Sequence, residues 1–123
     1  MKKSNLGKEG EERAVKYLKS RGYLIRERNY RFRGGEIDII AEEGGDLVFV
    51  EVKSRSSLSF GLPQQSISSS KKRKILQGAL TYLRHHPIRG NLRFDVVCLF
   101  FERGKIKEIE VFKNAFRKDF SHV

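Results

Sequence analysis

A chain of 123 residues is long enough for one compact domain with a single core and too short for two independently folding units. Its 26 Lys and Arg against 15 Asp and Glu give a formal net charge of +11, a field that favours polyanions, with nucleic acid ahead of an anionic membrane as the expected partner. The lone Cys98 excludes a disulfide framework, no run approaches the roughly 20 apolar residues of a membrane span, and MKKSNLGKEGEER lacks an apolar h-region, so a soluble, cytoplasmic protein is expected.

In chain order, Leu6–Arg21 sets Ala14, Val15 and Leu18 at helical spacing among charges, and Gly22 follows as a stop, which predicts an amphipathic first helix. Glu11 shares the face of Ala14, Val15 and Leu18, where a carboxylate wants a partner, whereas Glu12 points with Lys16 and Lys19. Tyr23–Tyr30 is rich in aromatic and β-branched residues and predicts a strand, followed by the basic loop RFRGG. The stretch GEIDIIAEEGGDLVFVEVK, residues 35–53, predicts a hairpin turning on EGGD, because glycine accepts the positive φ of a tight turn.

Residues from about 54 to 69, serine-rich and broken by glycine and proline, predict one long loop. Ser68–Ser70 can cap a second helix with an apolar face of Ile75, Leu76, Ala79, Leu80 and Leu83, ending before Pro87. Asn91–Phe101 and Ile106–Phe112 predict two strands around the turn RGK, and residues from about 113 to 123 are expected to form a mobile tail. The order α-β-β-β-α-β-β over residues 1–123 predicts a single α/β domain.

With the hairpin centred between Gly44 and Gly45, cross-strand partners are residues whose numbers sum to 89. Ile37/Val52, Ile39/Val50 and Ala41/Val48 then form an aliphatic face. The other face pairs Ile40 with Phe49, Asp38 with Glu51, and Glu36 with Lys53. Two carboxylates in such opposition repel unless they share a proton or bind a cation, and Mg²⁺ suits them, since it takes one or two carboxylates, keeps waters and accepts phosphate oxygens. A lysine two residues from such a carboxylate can steady charge developing at a phosphate. The alternative is a solvated strand end in a protein one-third charged.

Asp38 followed thirteen positions later by Glu51-Val52-Lys53, with a glutamate on a preceding helix, resembles the PD-(D/E)xK nuclease superfamily and is similar to the archaeal Holliday junction resolvases. Closer still, GKEGEERAVKYLKSRGY, ERNYRFRGGEIDII, FVEVKSR, KKRKILQGALTYL and RFDVV, in that order, resemble the YraN family of uncharacterised bacterial proteins. The resemblance implies a restriction-endonuclease-like mixed β-sheet flanked by helices, and Mg²⁺, with Mn²⁺ as a substitute, on Asp38, Glu51 and the Val52 carbonyl. It implies Lys53 as the residue that positions the attacking water and Glu11 as the helix glutamate, and, by analogy with resolvases, a homodimer. Where those enzymes often carry proline before the Asp, this chain has Ile37. Glu36 would either hold Lys53 or join the metal site.

The remaining candidates concern nucleic acid. Arg26, Arg28, Arg31 and Arg33, and Lys71, Lys72, Arg73 and Lys74 at a helix N-terminus, can line a surface for DNA or, second, RNA; four cations in a first helical turn oppose the helix dipole, which favours a polyanion site over a merely solvated face. Asp95 reads as support for the metal site or as a local ion pair with Arg93. His85, His86 and His122 make a poor zinc set; Tyr30, Phe32 and Phe60 read as core ahead of base-stacking platforms, and Cys98 as core. The expected activity is metal-dependent hydrolysis of phosphodiesters in structured DNA such as branches or flaps, with a non-catalytic nucleic-acid-binding module or adaptor as the rival.

Overall fold

The computed structural model describes residues 5–56, 67–88 and 90–115, of which residues 5 and 6 are described by their backbone alone. Seven elements follow in the predicted order: α1 (Asn5–Ser20), β1 (Leu24–Phe32), β2 (Gly35–Glu43), β3 (Asp46–Ser56), α2 (Ser69–His85), β4 (Leu92–Glu102) and β5 (Lys105–Phe112). The five strands form one sheet in sequence order, antiparallel at every junction except β3/β4, which α2 bridges as a parallel crossover.

One helix packs on each face of the sheet. Ala14, Val15 and Leu18 of α1 bury against Ile39, Ala41, Val48, Val50, Val97 and Leu99, and Ile75, Leu76, Ala79 and Tyr82 of α2 bury against Ile37, Ile40, Phe49, Phe94 and Val96. The central strands β3 and β4 are therefore apolar on both faces, which is why they read as near-continuous hydrophobic runs. Leu80, expected in the α2 core face, is 44% exposed, and Tyr82 takes that role. Ile75, Ala79 and Tyr82 stand one above another, and Leu80 is turned about 100° from Ala79.

The expected hairpin register holds from Glu43/Asp46 to Ile39/Val50, around a two-glycine turn with φ of 61° at Gly44 and 86° at Gly45. Beyond Val50 the β2/β3 ladder stops, so the expected pairs Ile37/Val52, Asp38/Glu51 and Glu36/Lys53 are not ladder partners. The faces also change. Arg28 and Ile39 are β1/β2 partners on the α1 side, where Arg28 reaches Glu12, yet the next pair, Tyr30 and Ile37, lies on the α2 side against Tyr82. Between these pairs Asn29 adopts a left-handed φ of 52°, which rotates the strand and moves Ile37 out of the expected aliphatic face.

β3 runs three residues past Lys53, because Ser54, Arg55 and Ser56 pair with Leu99, Phe100 and Phe101 of β4; the start of the expected loop is thus strand. The rest of it, 57–66 with Phe60, lies outside the described residues, as do 116–123 with His122. The first residues of the expected tail are anchored instead: the Asn114 amide donates to Asp95 Oδ1 at 2.9 Å and the Ala115 amide to the Phe94 carbonyl at 2.8 Å.

Gly78 sets how closely α2 approaches β1 and β2. A Cβ there would lie 2.5 Å from Phe32 Cε1 and 2.8 Å from Ile37 Cδ1, closer than side-chain carbons pack. Gly78→Ala is expected to destabilise the protein by about 1–3 kcal/mol despite alanine's better helix propensity, as read by urea denaturation. An unchanged or raised midpoint would show that the helix can lift off the sheet without loss.

Candidate functional site

The site forms where the β2/β3 ladder ends. With no β2 ladder partner beyond Val50, the Val52 amide donates to Asp38 Oδ2 at 2.8 Å, so the carboxylate of one strand replaces the missing carbonyl and is held in place by the other. Glu51 and Lys53, on either side of Val52, share the face that also carries Phe49, while Val52 packs with the α1-side core. The Asp38 carboxylate is close enough to Glu51 to bear on its ionisation, so the two acids expected to oppose each other do come together, through side chains rather than as ladder partners.

The start of α2 closes the other side. Ser68 caps that helix by accepting from the Lys71 amide at 3.1 Å, and the Lys71 ammonium lies 3.5 Å from Glu51 Oε2. Glu51, Val52, Lys53, Ser54, Ile67, Ser68 and Lys71 line an open cleft of about 480 Å³. Burial, reinforced by the Asp38 charge and opposed by Lys71, pushes the Glu51 carboxyl up to about 8, so near neutral pH Glu51 keeps its proton. Unfolded Glu51 would instead ionise near 4.5.

Between those values the folded protein binds more protons than the unfolded chain, so this group's contribution to stability is complete below about 4.5 and is lost as pH rises toward about 8. In metal-free buffer, stability is expected to fall across that window by up to ~1.4 kcal/mol per pH unit, and Glu51→Gln should flatten the slope. Denaturation midpoints of both proteins across the window check this, and parallel curves would mean that Glu51 does not hold that proton.

Glu11, half-buried on the packed side of α1, belongs to a helix on the sheet face opposite Glu51 and Lys53. Glu36 pairs in register with Arg31 of β1. Among the described residues no three His, Cys, Asp or Glu side chains gather into a metal cage, which leaves Asp38 and Glu51 as an acidic pair. A pair is compatible with Mg²⁺, which takes one or two carboxylates and fills its shell with water and phosphate oxygens.

The expected basic surface is divided. Lys71 belongs to the cleft, Arg73 and Lys74 are exposed along α2, and Lys72 is half-buried. The β1–β2 turn rests against α2, with Gly34 beside Gln77, which brings exposed Arg33 to the same side. Arg31 alternates with Tyr30 and Phe32 and so faces the other way. Arg26 and Arg28 form ion pairs with Glu42 and Glu12 at 3.4 and 2.6 Å. Tyr30 and Phe32 pack on the core, His86 stacks on Tyr82, and burial pushes the Cys98 thiol up to about 11, so it stays a core thiol.

Asp95 is the fully buried acid of the α1 side. It accepts from Arg93 Nε and Nη2 at 2.9 Å each, from Tyr23 Oη at 2.7 Å and from the Asn114 amide. Arg93 also reaches Glu43 at 2.8 Å and Asp46 at 3.1 Å. Burial first, and then Asp95, raises the Tyr23 phenol well above its ordinary value, so it remains a donor. The ion-pair reading of Asp95 therefore holds. Arg93-x-Asp95 signalled it in sequence, but Tyr23, Glu43 and Asp46 join only in three dimensions.

Fold and cleft together define an α/β domain whose five-stranded mixed sheet, between two helices, carries an acidic pair and two lysines where a central hairpin splits. The model of the Uncharacterised protein family UPF0102 matches residues 10–99, and the chain belongs to that family. It is 48% identical over 115 residues to a UPF0102 protein of Persephonella marina, covering 93% of this chain and 95% of the relative. To UPF0102 proteins of Geobacter metallireducens and Caldicellulosiruptor saccharolyticus it is 47% and 43% identical, over 91% and 94% of this chain and 92% and 100% of theirs.

Proposed function

We propose that this chain binds nucleic acid and hydrolyses phosphodiesters in structured or branched DNA with the help of a divalent cation, as a member of the PD-(D/E)xK superfamily. The observation that carries the proposal is the Asp38/Glu51 pair: Glu51 lines an open cleft with Lys53 and Lys71, and the Val52 amide fixes the Asp38 carboxylate beside it. An acid whose proton affinity is raised by burial and by an acidic neighbour is costly to keep for packing alone, and a cation relieves that cost.

In this reading Asp38, Glu51 and the Val52 carbonyl would hold Mg²⁺ or Mn²⁺, which supplies Lewis-acid polarisation of the phosphodiester and a more acidic bound water. The Val52 amide fixes the Asp38 carboxylate, and the β3/β4 pairing fixes the backbone of Glu51 and Lys53. Lys53 lies where it can orient the water and steady charge at the phosphate, and Lys71, with the Ser68-capped start of α2, can receive a neighbouring phosphate. Arg33, Arg73 and Lys74 extend the positive surface on that side.

A second reading, nucleic-acid binding without cleavage, is favoured by Lys71, which already gives Glu51 a positive charge at 3.5 Å. Incubation with four-way junctions, flaps, nicked duplex, single strands and RNA, each with Mg²⁺ or Mn²⁺, separates the two. Cleavage of at least one form is expected. No cleavage of any form with either metal, alongside salt-dependent binding, would leave the second reading in its place.

A further inference from the structure

A second cleft lies on the α1 side of the sheet, away from Glu51 and Lys53. It encloses about 320 Å³ between Tyr17 and Arg21 at the end of α1, Tyr23 before β1, Val111 of β5, and Lys113. The Arg21 guanidinium stacks on the Tyr17 ring at 4.8 Å and donates through Nη2 to the Tyr17 hydroxyl at 2.7 Å. The Lys113 ammonium lies 5.9 Å from the Tyr23 ring centre and 3.0 Å from Glu43 Oε2.

Several features of this cleft point to one ligand chemistry. Its volume is at the small end of the roughly 300–1,000 Å³ typical of ligand pockets, enough for one nucleotide and too little for a folded segment. A guanidinium plane beside an aromatic ring, in a cleft also lined by the apolar Val111, is the kind of surface on which an unpaired base stacks. Arg21 has five N–H donors, and its hydroxyl contact is neutral, so its charge stays available to a phosphate. Lys113 supplies a second cation whose partner Glu43 is shared with Arg93.

We propose that this cleft is a second nucleotide site, which takes one unpaired base with its phosphate. The proposal rests on the nucleic-acid reading above and sharpens its substrate class. Because the two clefts lie on opposite sheet faces, a nucleotide held here is not the one whose phosphate meets Asp38 and Glu51, so the preferred substrate presents more than one strand or an unpaired end. The shared chemistry is a nucleoside monophosphate unit, from a strand or from a free nucleotide.

The test uses amide NMR spectra of the full chain, titrated separately with adenosine monophosphate, an eight-nucleotide single strand and inorganic phosphate. Signals of Arg21, Tyr23, Val111 and Lys113 are expected to shift with the strand or the mononucleotide, the stronger ligand identifying the source, and much less with phosphate. Tyr17→Leu, or Arg21→Gln with Lys113→Gln, alters exposed or half-buried groups and is expected to weaken that binding by about tenfold, within the range of one base stack. Equal shifts with inorganic phosphate would overturn the base-binding part. Shifts confined to the Lys53 and Lys71 cleft would overturn the second site while leaving the proposed function standing. Binding that neither set of lysines and arginines influences would overturn both.

Discussion

Asp38→Asn is expected to abolish Mg²⁺-dependent cleavage, by at least about a thousandfold, while leaving the protein folded and able to bind DNA. Asparagine keeps an oxygen for the Val52 amide, so the end of the hairpin should not reorganise. It removes the charge that helps to push Glu51 upward, so Glu51 should ionise more readily and metal-free stability near neutral pH should hold or rise. What the variant loses is the pair. Thermal scans with and without Mg²⁺ supply the readout: the wild type should gain stability with metal concentration and Asp38→Asn should not. Lys53→Ala should also lose cleavage but retain the metal-dependent gain. If Asp38→Asn cuts as well as the wild type, the acidic pair is not the catalytic site. If it simply unfolds, the pair is structural.

Asp95→Ala is expected to cost about 3–5 kcal/mol, because it removes the acceptor of four hydrogen bonds from a site with no solvent access. Arg93 keeps Glu43 and Asp46, but the Tyr23 hydroxyl and the Asn114 amide lose their acceptor and the chain after β5 loses its anchor. Against a typical domain stability of roughly 5–15 kcal/mol that is a large fraction, and urea denaturation should show it plainly. Tyr23→Phe removes one donor and leaves a charged acid still paired with Arg93, so it should cost about 1 kcal/mol. Metal-dependent stabilisation should survive in the folded fraction of both variants, since this network occupies the α1 side of the sheet. An Asp95→Ala protein within about 0.5 kcal/mol of wild type would mean that water replaces the carboxylate.

These two acids mark how far the sequence could be read. Counting outward from Gly44 and Gly45 yields the true register as far as Ile39/Val50, because the tight two-glycine turn fixes which residues of the two strands can stand opposite. It fails at Asp38. The left-handed Asn29 and the end of the ladder rotate the strand, and neither event has a periodic trace in the residues. Asp38 still meets Glu51 because its carboxylate fills the vacant position at the Val52 amide, so the proximity is real although the expected pairing is not.

By itself the sequence determined the elements and their order, because helix and strand periods, the two-glycine turn and the Ser68 cap depend on residues close along the chain. It also determined the acidic pair with Lys53, since both strands of one hairpin carry it. Only the tertiary structure decided the parallel β3/β4 junction, the arrival of Lys71 at Glu51, the five-residue mesh around Asp95 and Arg93, and the cleft between Tyr17 and Lys113. Each of these joins residues well separated in sequence, and what brings them together is the burial of apolar faces on both sides of one sheet, to which no local pattern refers.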